Sequence, residues 1–317
     1  MSQPVTRRVA VALLAAAVAG CGSEPGPPAA GPTSAPPPSA GPTAAPSTAP
    51  PAPPPAASEL PLGGRRIFPA YRVVAYYGTA GNPALGVLGE SSPEGILPRL
   101  RGAARGYGAG GRPVQVAYEL IATVAQASPG KDGRYRRTID LARIRQYVEA
   151  ARRHRLLVVL DVQPGRSDFL TEVAKLRPFL EQPHVGLALD PEWRMAAGQV
   201  PGRTIGRVSA AEVNLVSAYV AGIVRERGLP EKLFVLHQFR ASMIPDITRV
   251  QARPGLAMVQ HVDGFGTRAE KDATFGRLRR PGQFHIGYKL FYDEDVRMYT
   301  PREVLAFRPS PEYVSYQ

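Results

Sequence analysis

Residues 184–193 read HVGLALDPEW, an apolar run that closes on two carboxylates and the only tryptophan of the chain. Side chains two apart on a strand share a face, so Ala188, Asp190 and Glu192 point together while Leu187 and Leu189 point the other way. Pro191 cannot donate to a ladder and marks the strand's end. Two carboxyls held close raise one another's pKa, which suits such a pair to acid–base chemistry near neutral pH. Other chemistries fit less well. His237, His261, Asp263 and Asp161 offer metal-binding side chains, but no His-x-His or His-x-x-x-His spacing joins them, so no metal is expected. No Gly-x-Ser-x-Gly is present, and the single cysteine, Cys21, lies near the N-terminus, which argues against serine and cysteine nucleophiles and excludes a disulfide within the chain. Lys289 as a Schiff-base amine is disfavoured in an exported protein, and an ion pair is its ordinary role.

Short β-branched or apolar runs at 72–77, 114–120, 156–162, 185–189, 233–237, 256–262, 284–288 and 313–317 predict the strands that must position these groups. Helix signals lie between most of them. Ser92-Pro93 offers an N-cap with proline at the first helical position, and Asp140 opens DLARIRQYVEAARRH with apolar residues repeating at three and four. Ser209 with Glu212, and Thr300 with Glu303, read as capping boxes. Eight strands alternating with helices predict an α/β fold, a (β/α)8 TIM-type barrel. A doubly wound sheet would carry G-x-G-x-x-G after its first strand, whereas Gly78-Thr79-Ala80-Gly81-Asn82-Pro83 stands there. The eighth strand ends the sequence given, so no closing helix is expected.

Functional groups in such barrels collect at the C-terminal strand ends. The first three strands offer Tyr76 and Tyr77, then Glu119, then Asp161 with Gln163. Asp190 and Glu192 follow on the fourth, and His237 with Gln238 on the fifth. The last three offer Gln260, His261 and Asp263, then Tyr288 with Lys289, then Tyr316 with Gln317. Polar or ionisable ends after nearly every apolar body predict a functional cleft.

The N-terminal residues set a compartment. Arg7 and Arg8 precede an apolar run, 9–19, too short to span a bilayer, and it closes on Val18-Ala19-Gly20-Cys21, which resembles the bacterial lipobox. The resemblance implies a signal peptide at 1–20 and lipid attachment at Cys21. Residues 21–58 are almost wholly Pro, Ala, Gly, Ser and Thr, which predicts a disordered tether with nothing to bury. The barrel domain is then 59–317. Of the net charge of +13, Arg7, Arg8 and Glu24 account for +1, leaving +12 on this domain. Such a surplus attracts anionic wall polymers and headgroups. No basic run interleaved with aromatics suggests a nucleic-acid partner.

GLALDPEW also resembles the fourth-strand motif of barrel glycoside hydrolases: the chitinase type (family 18), whose motif ends Asp-x-Glu, and the muramidase type (family 25), which carries a similar Asp-x-Glu. The resemblance implies that Glu192 is the general acid that protonates the glycosidic oxygen, with Asp190 assisting. Such hydrolysis needs a second group to activate water or stabilise the oxocarbenium ion, for which Asp161 foremost, Glu119 and Asp263 are at hand. Trp193, Tyr76, Tyr77 and Tyr288 are expected to stack on sugar rings, and Gln163, His237, Gln238, His261, Lys289 and Gln317 to hydrogen-bond them. The expected protein is a monomer, lipid-anchored on the extracytoplasmic face of the cell membrane, acting without a cofactor on a wall or extracellular polysaccharide. Two earlier acidic positions of the chitinase motif are Val185 and Ala188 here, so a non-catalytic barrel that binds glycan or a surface partner is the alternative.

Overall fold

The computed structural model describes residues 58–317; the expected signal peptide, Cys21 and tether lie outside the described residues. Among the described residues nine strands are formed: β1 (Arg72–Gly78), β2 (Val114–Ala125), β3 (Arg136–Thr138), β4 (Leu157–Val162), β5 (Val185–Leu189), β6 (Lys232–Gln238), β7 (Leu256–Val262), β8 (His285–Leu290) and β9 (Tyr313–Tyr316). All but β3 are parallel neighbours in the order β1, β2, β4, β5, β6, β7, β8, β9, and β9 pairs back onto β1. This is a closed, eight-stranded TIM-type barrel. β3 instead pairs antiparallel with the far end of β2, Thr138 opposite Thr123, and extends the wall above the rim.

The helices are α1 (Pro93–Ala104), α2 (Leu141–His154), α3 (Phe169–Ala174), α4 (Arg177–Leu180), α5 (Ala210–Arg227), α6 (Arg268–Leu278) and α7 (Pro301–Leu305). Their starts follow local chemistry. The Ser92 hydroxyl accepts from Gly95 N at 3.1 Å ahead of Pro93, and Asp140 Oδ1 accepts from Ala142 N at 2.9 Å. Thr300 and Glu303 form the full capping box. The Ser209 box is only half made: Ser209 Oγ accepts from Glu212 N, while the Glu212 carboxylate turns to Phe169 N and to Arg194. Between β6 and β7 only short turns occur, Ala241–Met243 and Ile247–Arg249, so the ring of helices is uneven.

Two cores follow from strand alternation. Val74, Tyr76, Leu187, Leu189, Phe234 and Leu236 face outward against the helices. Val73, Ala75, Ala117, Val159, Ala188 and Val235 face inward, and Leu60, Ile67 and Phe68 from the segment before β1 pack against this inner cluster. Gly186 of β5 belongs to the inner register, and a Cβ there would stand 2.6 Å from the Leu233 carbonyl oxygen and 3.0 Å from Leu233 Cβ. Close approach of β5 and β6 therefore requires glycine. Gly186→Ala is expected to lower stability by about 1–3 kcal/mol, the usual cost of overpacking a close contact, read as a lower urea midpoint with unchanged slope.

Candidate functional site

The inner face changes character along its length. Apolar residues fill it from the base, and above them the same positions become Tyr77, Glu119, Asp161, Asp190, His237, His261, Lys289 and Ser315. Glu119, Asp161, His237 and His261 are fully buried, whereas Asp190, Asp263, Lys289, Tyr77 and Gln163 keep 3–6% exposure and form the floor of the mouth.

His237 is the hub. Its Nε2 donates to Glu119 Oε1 at 2.9 Å across the barrel, and its Nδ1 donates to Asp263 Oδ2 at 3.1 Å beside it. Burial opposes charge on all three. Glu119 and Asp263 nevertheless hold the imidazole well above its ordinary pKa, and the imidazolium in turn brings both carboxyls down to about 2. The group is an ion triad with the cation in the middle. His261, the register partner of His237, is different: burial lowers it to about 3, so it stays neutral, bonded through Nε2 to Ser315 Oγ at 2.7 Å.

A second network lies alongside. The Tyr77 hydroxyl donates to Asp161 Oδ2 at 3.0 Å and accepts from Gln163 Nε2 at 3.2 Å, while Lys289 Nζ stands 3.3 Å from the Tyr77 ring centroid. Gln163 is itself fixed by Ala125 N at 3.1 Å. Burial raises Asp161 to about 6.

Asp190 stands outside both networks. It leaves β5 at the mouth and caps the turn Pro191–Trp193, its Oδ1 accepting from Glu192 N at 3.3 Å. Burial first, and the Glu192 charge second, push its pKa well above the ordinary carboxyl range. Glu192 and Trp193 are half-buried on the rim. Their loop is held firmly: Gly206 N donates to Glu192 O at 2.6 Å, Met195 N to Gly165 O at 2.7 Å, and Arg194 Nε to Glu212 Oε1 at 3.0 Å.

The barrel thus brings Glu119, Asp161, Gln163, Asp190, His237, His261, Asp263, Lys289 and Tyr77 to one interior, with Glu192 and Trp193 above it. It turns other expected contacts away. Tyr76 faces outward, its hydroxyl 3.0 Å from that of Tyr292, and Tyr288 is packed with Phe275, Tyr299 and Phe307 under the helices. Each neighbours an inward residue, so alternation sends it to the other face. Gln238 likewise faces outward and accepts from Gln260 Nε2 at 2.8 Å. Gln317 serves the wall through its backbone, donating to Leu290 O and accepting from Tyr292 N. Glu119 is not at a strand end, because β2 runs on to Ala125; it sits below the mouth. Ser315 and Tyr313 escaped the sequence reading, although period-two alternation along 313–317 would have placed them inside. One donor atom from each of Glu119, His237 and His261 also falls within 4.8 Å of the others, a grouping that sequence spacing does not reveal.

No family model matches the chain, and no curated protein matches it. Among solved structures, a chain titled "Cellulase Cel5C_n" matches with a TM-score of 0.35 and 12% identity over 54% of this chain and 55% of that one. The match spans about half the length of each. Among the described residues, no helix is long and apolar enough to cross a membrane.

The raised pKa of Asp190 carries a stability consequence. The folded state binds a proton there that the unfolded state releases, so Asp190 destabilises the fold progressively as pH rises from the ordinary carboxyl range to its folded pKa. Asp190→Asn is therefore expected to raise the urea midpoint at pH 7, with the gain vanishing near pH 4. A variant no more stable than the parent at pH 7 would contradict the buried, protonated carboxyl.

Proposed function

We propose that the protein is a glycoside hydrolase acting on a wall or extracellular polysaccharide, with the Asp190 and Glu192 pair as its proton donor. One observation carries this reading: two carboxyls at the same mouth, Asp190 and Asp263, are pushed in opposite directions, Asp190 well up and Asp263 down to about 2. Opposed protonation of two carboxyls is what acid-assisted glycosidic cleavage requires. Asp190 stores the proton behind the rim. Glu192, half-buried above it, takes that proton from Asp190 and delivers it to the leaving oxygen, leaving Asp190 as the carboxylate, and Trp193 beside it offers a sugar platform. Asp263, with Oδ1 free of hydrogen bonds, supplies the negative charge that a developing oxocarbenium ion needs. This revises the expectation that gave Asp161 that role, since Asp161 is buried beneath the floor and engaged by Tyr77. Lys289 and Gln163 line the floor where sugar hydroxyls would be bonded.

The lipobox-like residues before Cys21 and the Pro- and Ala-rich stretch that follows support anchoring this activity at the extracytoplasmic face of the membrane. The surplus of positive charge on residues 59–317 would draw it to anionic wall polymers.

Hydrolysis of a glycan panel tests the reading. The wild-type protein should release reducing ends from at least one wall or extracellular glycan, and Glu192→Gln should slow release by roughly 10²- to 10⁴-fold, the usual worth of a positioned acid, while glycan binding is retained. Binding without turnover in the wild type would establish the silent glycan-binding barrel instead.

A further inference from the structure

Below the mouth, the reading just proposed gives one cluster no role in hydrolysis. Glu119 of β2, His237 of β6 and His261 of β7 each place one donor atom within 4.8 Å of the other two, all fully buried. We propose that these three residues form a binding site for a divalent first-row transition metal, zinc being the best chemical match. Two imidazoles and one carboxylate are a donor set taken by zinc and iron(II), whereas calcium and magnesium prefer shells of oxygen.

Further features bear on an ion. His237 Nε2 donates to Glu119 Oε1 at 2.9 Å without metal, and zinc would bind there by displacing that proton, with the two ligand atoms then roughly 3–3.5 Å apart for bonds near 2 Å. Each histidine is oriented by an outer group, His237 by Asp263 through Nδ1 and His261 by Ser315, as metal-bound imidazoles are. Gly287 of β8 leaves room for the second ring, since a Cβ there would stand 2.5 Å from His261 Nδ1. Glu119 Oε2 and the Tyr313 hydroxyl are both buried without a well-formed hydrogen bond, and the interaction between these two residues is the carboxylate oxygen's alternative to a cation. A buried carboxylate oxygen left so is costly, and a cation would satisfy it.

The site lies apart from Asp190 and Glu192 but shares the His237–Asp263 contact with the mouth, so metal content rather than glycan hydrolysis is its readout. Protein without a histidine tag, stripped with chelator, loaded with zinc and dialysed, should retain one zinc per chain by elemental analysis and melt at a higher temperature than the stripped form. His261→Gln and Glu119→Gln should each weaken zinc binding by roughly 100-fold or more, beyond the 10- to 100-fold typical of outer-shell losses, and His154→Gln should leave it unchanged. Zinc not retained by the wild type, or retained equally by His261→Gln, overturns the proposal. Should the variants fail to fold, cobalt(II) in the wild type decides: intense visible bands of a four- or five-coordinate nitrogen and oxygen site support it, and the faint spectrum of hydrated cobalt overturns it.

Discussion

Charge inside a closed barrel must be neutralised by neighbours, because water cannot reach it, and His237 performs that task here. Its two ring nitrogens meet Glu119 and Asp263 on opposite sides, at 2.9 and 3.1 Å. Taking three ionised groups out of water costs several kcal/mol each, and only short, well-aligned contacts offset that cost. With the cation in the middle, each carboxylate is stabilised by it and separated from the other. Removing His237 would leave two buried negative charges facing one another, the least tolerable arrangement in a low-dielectric interior. The remaining polar groups of the interior are arranged around this triad: His261 stays neutral beside it, and Lys289 lies over Tyr77 at the side of Asp161.

Asp190 differs because it has no such partner. Its nearest titratable neighbour on the chain, Glu192, has the same sign, so burial and repulsion act together and the carboxyl keeps its proton. The same physics that makes the triad tolerable therefore makes Asp190 chemically distinctive. Rigidity matters to that outcome. The turn Pro191–Trp193 is tied by Gly206 N on Glu192 O, and Arg194 is clamped by Glu212, so the backbone that carries the pair is held in place. The half-made capping box at Ser209 has its reason here, since Glu212 leaves the helix start to brace the loop that carries Glu192.

Much of this was legible in the residues. The eight runs of apolar character marked the eight barrel strands, and period-two alternation correctly sent Ala188 and Asp190 inward and Leu187 and Leu189 outward. The departures have two causes. Tyr76, Tyr288 and Gln238 were grouped with the mouth because they sit beside inward residues at strand ends, yet alternation places them under the helices. Glu119 lies below the strand end expected for it, because the largely apolar residues 120–125 carry β2 on to Ala125, where its last residues gain β3 as an antiparallel partner.

The sequence by itself determined which elements form and which face each side chain takes, because propensity, capping and alternation act between residues a few positions apart. It also carried the Asp190 and Glu192 pair, whose members are two residues apart where β5 gives way to the turn Pro191–Trp193. Only the tertiary structure decided which groups meet across the barrel. Glu119 and His237 are 118 positions apart in the chain yet bonded at 2.9 Å, and their contact depends on closure and strand register. Charge states follow from those contacts, since desolvation and Coulomb interaction depend on distance in space. Hence the triad, the neutral His261 and the protonated Asp190 come into being only when the barrel closes.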